Sequence, residues 1–283
     1  MEELLHIFLH TLLDFAKLLP FLFLAYLLME LIEHKAGEKT ERLIRRSGRF
    51  GPALGAALGV LPQCGFAAAT SNLYAGGLIT RGTLLAVFLS TSDEMLPILV
   101  SEGAEIGLIL KLLAVKLIVG AGVGFAVDLI PTKNTRHGHI HHLCEESHCG
   151  CEHDGILRAS LRHTLKIGAF ILLVTLALNI AVEYIGEYRL AALATSVPVL
   201  SSLISALVGL IPNCAASVVI TELYLQGALG AGAMLSGLLV SSGLGVLILF
   251  RSNKNLRDNL LTLLILYVSG VVLGSLIGLL PIF

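Results

Sequence analysis

The chain has 283 residues, of which 55% are hydrophobic and 14% charged, with a mean hydropathy of +0.87. Nineteen basic and 20 acidic side chains leave a formal charge of -1, so no basic excess is available to neutralise phosphates and a nucleic-acid partner is excluded. The leucine content rules out disorder, and apolar runs of bilayer length rule out an ordinary soluble domain, leaving an all-α integral membrane protein whose backbone polar groups are satisfied within helices.

The first apolar run, 4–32, is too long for the hydrophobic region of a signal peptide and contains Asp14 and Lys17, so it reads as the first membrane helix. His6, His10, Asp14 and Lys17 are spaced to share one stripe of that helix. The remaining runs are 50–77, 78–100, 106–130, 160–184, 193–226, 227–250 and 258–282, separated by polar breaks at 33–49, 101–105, 131–159, 185–192 and 251–257. Most can cross about 30 Å of hydrocarbon, which takes roughly 20 helical residues.

Two runs are interrupted. Leu61-Pro62-Gln63-Cys64-Gly65 breaks the second, and Ile211-Pro212-Asn213-Cys214-Ala215 breaks the sixth. Proline lacks a backbone donor and clashes with the preceding turn, so each helix should stop or kink there. Gly51 to Leu61 then makes roughly 16 Å of helix, about half a bilayer.

The breaks belong to an internal repeat. A shift of 150 positions lays Pro62 on Pro212, Cys64 on Cys214, Gly59 on Gly209 and Leu73-Tyr74 on Leu223-Tyr224. The same shift pairs Gly77 with Gly227, Gly82 with Gly232, Ser92 with Ser242 and Ile98-Leu99 with Ile248-Leu249. Basic residues concentrate in cytoplasmic loops. If each break is the tip of a re-entrant hairpin, 15 of the 19 basic residues fall on one face and only Arg189 in the opposite loops. If the broken runs simply span, the split falls to ten against six. The hairpin arrangement gives each half three full crossings plus one re-entrant pair, about ten helical segments in all, and turns the second half upside down. The expected organisation is a first transmembrane repeat at 1–131, a cytoplasmic loop at 132–159 and an inverted second repeat at 160–283.

Pro-Gln-Cys and Pro-Asn-Cys breaks, each followed by Leu-Tyr, Gly and a Ser-rich segment, resemble the ten-transmembrane heavy-metal exporter family, whose members carry arsenic-efflux and manganese-transporter labels. Ser90-Thr91-Ser92-Asp93-Glu94-Met95-Leu96-Pro97 and the stretch 209–250 add to the likeness. The resemblance implies a metal or metalloid ion as substrate, exported across the cytoplasmic membrane.

Several residue sets could carry that chemistry. A broken helix frees carbonyls at one end and amides at the next. Pro62, Gln63 and Cys64 form one tip and Pro212, Asn213 and Cys214 the other; two thiols and two amide oxygens suit a soft or borderline metal. Ser92, Asp93 and Glu94 put carboxylates inside an apolar run, where they mark ion or proton paths by default. Asp93, beside Ser92, is the expected inward ligand or proton acceptor. Ser242 is the repeat partner of Ser92, and Glu222 is a lone carboxylate opposite Asn72. In the central loop His137, His139, His141, His142, Cys144, His148, Cys149, Cys151 and His153 fall within 17 residues, a tract suited to a transition-metal ion. The five cysteines do not make a secreted disulfide framework.

The sequence thus predicts a secondary transporter working by alternating access, with proton coupling through Asp93 as its expected drive and a homo-oligomer left open. Transport of an oxyanion or small organic solute, with a metal-sensing loop, is the alternative. Neither His-Glu-x-x-His, Cys-x-x-Cys nor a nucleotide-binding Gly-x-x-x-x-Gly-Lys motif is present, so an enzyme is not expected.

Overall fold

The computed structural model describes residues 50–61, 64–92, 95–130 and 198–280, with scattered helical positions between 11 and 27 and between 157 and 177. The His/Cys-rich loop and the first-helix stripe of His6, His10, Asp14 and Lys17 lie outside the described residues. All bounded elements among the described residues are helices: α1 (Gly51–Gly59), α2 (Cys64–Ala75), α3 (Arg81–Ser90), α4 (Met95–Ser101), α5 (Ile106–Leu129), α6 (Pro198–Gly209), α7 (Cys214–Leu225), α8 (Ala231–Val240), α9 (Gly245–Ser252) and α10 (Leu256–Gly278).

Helix boundaries recur at the 150-residue shift. α1 and α6 end on Gly59 and Gly209, α2 and α7 begin on Cys64 and Cys214, and α3 and α8 end on Ser90 and Val240. The turn after α2 and the turn after α7 each place a glycine at positive φ, Gly77 at 72° and Gly227 at 73°. A side chain would strain that left-handed conformation, which explains why both copies carry glycine there. Both proline breaks therefore interrupt their helices where the sequence predicts.

Two further interruptions were not foreseen. The runs 78–100 and 227–250 read as unbroken crossings, yet α3 stops at Ser90 and α8 at Val240, and α4 and α9 resume at Met95 and Gly245. The physical cause is local. Ser90 donates its hydroxyl to the carbonyls of Ala86 (2.7 Å) and Val87 (3.1 Å), and Thr91 donates to Val87 (2.7 Å). Hydroxyls that take up carbonyls of the preceding turn offer the backbone an alternative to continuing the helix. In the second copy Gly243, at φ 52°, supplies the reversal.

Glycines set the packing. A Cβ on Gly55 would lie 3.1 Å from the Thr83 carbonyl and one on Gly59 2.7 Å from that of Val87, so α1 and α3 lie side by side in the same direction. Since α2 joins the end of α1 to the start of α3, it runs back between those levels. On the other side of α3, a Cβ on Gly120 would lie 3.2 Å from the Ser90 Cβ and one on Gly124 2.9 Å from the Ala86 Cβ, which makes α5 antiparallel to α3. Gly270 and Gly274 of α10 repeat this against Ser236 of α8. Small residues at such crossings let backbones approach closely, which is how helices associate in lipid.

The halves interlock. α2 packs along α9, α7 along α4, and α3 against α8. Gly245, at the start of α9, abuts Phe88 and Ala67, and the Ser71 hydroxyl donates to its carbonyl (2.7 Å). Tyr74 at the end of α2 and Arg81 at the start of α3 both bond Asp258 in the first turn of α10. Gly232, at the start of α8, meets Gly278 at the far end of α10.

Four stretches are long and apolar enough to cross a membrane: Arg81–Ser101, Ile106–Leu129, Ala231–Ser252 and Leu256–Gly278. The discontinuous pair, α3–α4 and α8–α9, is mostly buried within the protein. α5 and α10 are mostly exposed and present leucine, isoleucine and valine outward, Ile118 being 67% and Leu264 58% exposed. Apolar faces of that extent require lipid rather than water. The chain is a multi-pass membrane protein.

Candidate functional site: a central layer of broken helices

The helix ends at Gly59, Ser90, Gly209 and Val240, and the starts that follow them, meet at one level of the fold. A Cβ on Gly59 would press on the Ser90 hydroxyl, one on Gly209 would press on the Gly237 carbonyl, and Gly245 rests against Phe88. Eight helix ends thus surround a common layer. The ends of α1, α3, α6 and α8 bring terminal carbonyls to it, and the starts of α2, α4, α7 and α9 bring terminal amides. The first kind favours cations and the second anions, each end acting as roughly half a charge.

Side chains of the layer are polar and buried. Ser90, Thr91, Ser92, Ser241 and Ser242 line the second pair of breaks, all at most 4% exposed. Ser92 donates to the Ser90 carbonyl (3.2 Å). Asn213 is buried and serves as the N-cap of α7, its side chain accepting from the Ala215 amide at 3.4 Å. Pro212 sits in the same tip, half-buried. Ser71 and Thr221, one turn or two into α2 and α7, are fully buried and donate to carbonyls four residues back.

Other expected site residues fall unevenly. Cys64 and Cys214 open α2 and α7, so each stands at the amide end of a half-helix. Pro62, Gln63, Asp93 and Glu94 lie outside the described residues, as do the nine histidines and cysteines of the loop. Glu222 is exposed on α7, whereas its repeat partner Asn72 is buried and accepts a hydrogen bond from Ser252 (2.6 Å). Among the described residues no group of three or more His, Cys, Asp and Glu side chains could hold a metal.

Two features escape a reading of the sequence. Lys116, in the middle of α5, is 1% exposed and donates to the carbonyl of Leu238 at 2.6 Å, in the last turn of α8. Its charge lies inside an apolar run and has no motif around it. The second is the polar cluster at one edge of the fold. Asp258 accepts from Tyr74 (2.7 Å), Arg81 and Asn253 (2.9 Å), and Asn253 also donates to Asn259 (2.7 Å). The repeat equivalents of Tyr74, Arg81 and Asp258 are Tyr224, Ala231 and Leu108, so the second copy cannot build this cluster.

A family model described as "Putative, 10TM heavy-metal exporter" matches residues 3–184. The match takes in the first proline break, the second interruption and the central loop, and ends before the Pro-Asn-Cys break. No curated protein and no solved structure matches the chain.

Proposed function

The chain belongs to this ten-transmembrane heavy-metal exporter family, and on that premise we propose that it is a secondary transporter carrying a divalent transition metal or metalloid outward across the cytoplasmic membrane by alternating access. The observation that carries the reading is the central layer, where four interruptions bring eight helix ends and a belt of buried hydroxyls together. Interrupted helices in repeated halves, with a polar midplane, are how secondary transporters bind solute.

The two halves are inverted repeats in this reading. Support comes from α10: its first turn bonds Arg81 at the start of α3, while its opposite end meets Gly232 at the start of α8. Equivalent positions of the two copies therefore stand at opposite ends of one 23-residue helix, roughly 34 Å long. The helix pairs α1–α2 and α6–α7 are then re-entrant hairpins entering from opposite faces. The concentration of Lys and Arg supports a cytoplasmic side for the α2–α3 turn and the central loop.

Cys64, Cys214, Gln63 and Asn213 offer thiol and amide ligands at the two tips, with Ser92 and Ser242 beside them. Asp93 exchanges the proton, and Glu94 stands next to it. The histidines and cysteines of 137–153 collect metal before it enters. Flux of radiolabelled manganese and arsenite into inside-out vesicles tests this. Cys64→Ala, Cys214→Ala and Asp93→Asn should each cut flux at least tenfold; unchanged flux in all three removes the site.

A second reading has its own support. The starts of α2, α7 and α9 bring terminal amides to the layer. These suit an oxyanion, with the loop as metal sensor. Arsenate or phosphate binding in the absence of any metal response would favour it over the first.

A further inference from the structure

Lys116 is the largest charged side chain buried in the described structure, at 1% exposure near the centre of a 24-residue apolar helix. An ammonium in lipid-buried protein is costly and is retained where it has a task. Its partner is informative. α8 ends at Val240, and its last helical bond runs from the Ser241 amide to the Gly237 carbonyl. The carbonyl of Leu238 lies one residue beyond, where the ladder has run out. The ammonium thus sits on a terminal carbonyl, at the negative end of a helix dipole.

The two copies differ at this helix end. At the end of α3 hydroxyls of the same helix bond carbonyls of its last turn, Ser90 on Ala86 and Val87 and Thr91 on Val87. The second copy has Val240 where the first has Ser90, and the next carbonyl along, that of Leu238, is taken by Lys116 from the other half. Its own repeat partner, Leu266, is equally buried and brings no charge to α3. Beside Leu238, Gly237 packs against the Ser205 hydroxyl, which is buried and unpartnered among the described residues. A further oxygen is therefore on hand at the same helix end.

We propose that the end of α8 is a monovalent-cation site permanently filled by the chain's own Lys116 ammonium, a tethered cation that holds the discontinuous helix of the second half against α5 of the first. The site stands on the packing alone, so its test reads stability rather than flux.

The full chain is purified in detergent and its melting followed for wild type, Lys116→Met, Lys116→Gln and Lys116→Ala. Met fills the space without charge and Gln keeps a donor without charge; both should melt several degrees below wild type. Lys116→Ala should fall further and recover at least half its loss with n-propylammonium, saturably in the millimolar range, but not with choline, which is too large to enter. The amine is kept present through extraction, so a yield obtained only in its presence also supports the site. Met or Gln variants as stable as wild type would overturn the proposal, as would an alanine variant that propylammonium and choline affect alike.

Discussion

Asp258→Asn is the sharpest probe of how the halves are joined. Its carboxylate accepts from Tyr74 (2.7 Å), from Asn253 (2.9 Å) and from the Arg81 guanidinium, and the side chains of Arg81 and Asp258 are only 10% and 5% exposed. Asparagine removes the charge but keeps the shape, leaving Arg81 buried with a long bond to Tyr74 (3.3 Å) among its contacts. Removing one partner of a buried pair costs about 3–5 kcal/mol, because the remaining charge is desolvated without compensation. Arg81→Leu leaves Asp258 with its two neutral donors, so its cost should be smaller, about 2–3 kcal/mol by the desolvation of a partly satisfied group. With both changes no charge is stranded. The double variant should be close to the costlier single one, giving a coupling of about 2–3 kcal/mol. Unfolding in mixed micelles of the four proteins measures this. Additivity of the two substitutions to within about 0.5 kcal/mol would show that the pair does not join the halves.

Other outcomes follow from the same contacts. Gly124→Val should destabilise by about 1–3 kcal/mol through overpacking, since its Cβ alone would lie 2.8 Å from Pro52 and 2.9 Å from Ala86; a melt unchanged from wild type would refute the close α3–α5 crossing. By contrast Gly122→Val, at a position with nothing within 4 Å, should leave the protein's melting nearly unchanged. Deleting residues 137–153 should remove most bound zinc or manganese from the purified protein by elemental analysis, while the helical circular dichroism remains; equal metal content with and without the segment would contradict a chelating loop.

Much of the architecture is legible in the residues themselves. Proline forbids a continuous helix, so the breaks at Pro62 and Pro212 and the starts at Cys64 and Cys214 follow from local chemistry. The paired glycines Gly77 and Gly227 fill turns that need positive φ. The interruptions after Ser90 and Val240 are harder to see, because hydropathy runs through them without a dip. They arise from hydroxyls bonding back onto their own turn and from one glycine at positive φ, which residue averages do not register. Arg81 reads as a loop charge that orients the chain, and Asp258 as the edge of the last crossing; only folding shows that they meet across 177 positions. Lys116 is hidden for a similar reason, since its partner is a backbone carbonyl and leaves no trace in composition. Of the expected site residues, Ser92, Asn213 and Ser242 are buried, whereas Glu222 is exposed.

The sidedness of the two equivalent turns bears most directly on the inverted architecture. Single cysteines at the exposed positions Thr80 and Gly230, in a background whose five native cysteines are replaced, are treated with a membrane-impermeant maleimide in intact cells and then in inside-out vesicles. The account predicts labelling of position 230 from outside and of position 80 from the cytoplasmic face. Labelling of both positions from one side would mean that the halves point the same way and that no mirrored pair of hairpins encloses the central layer.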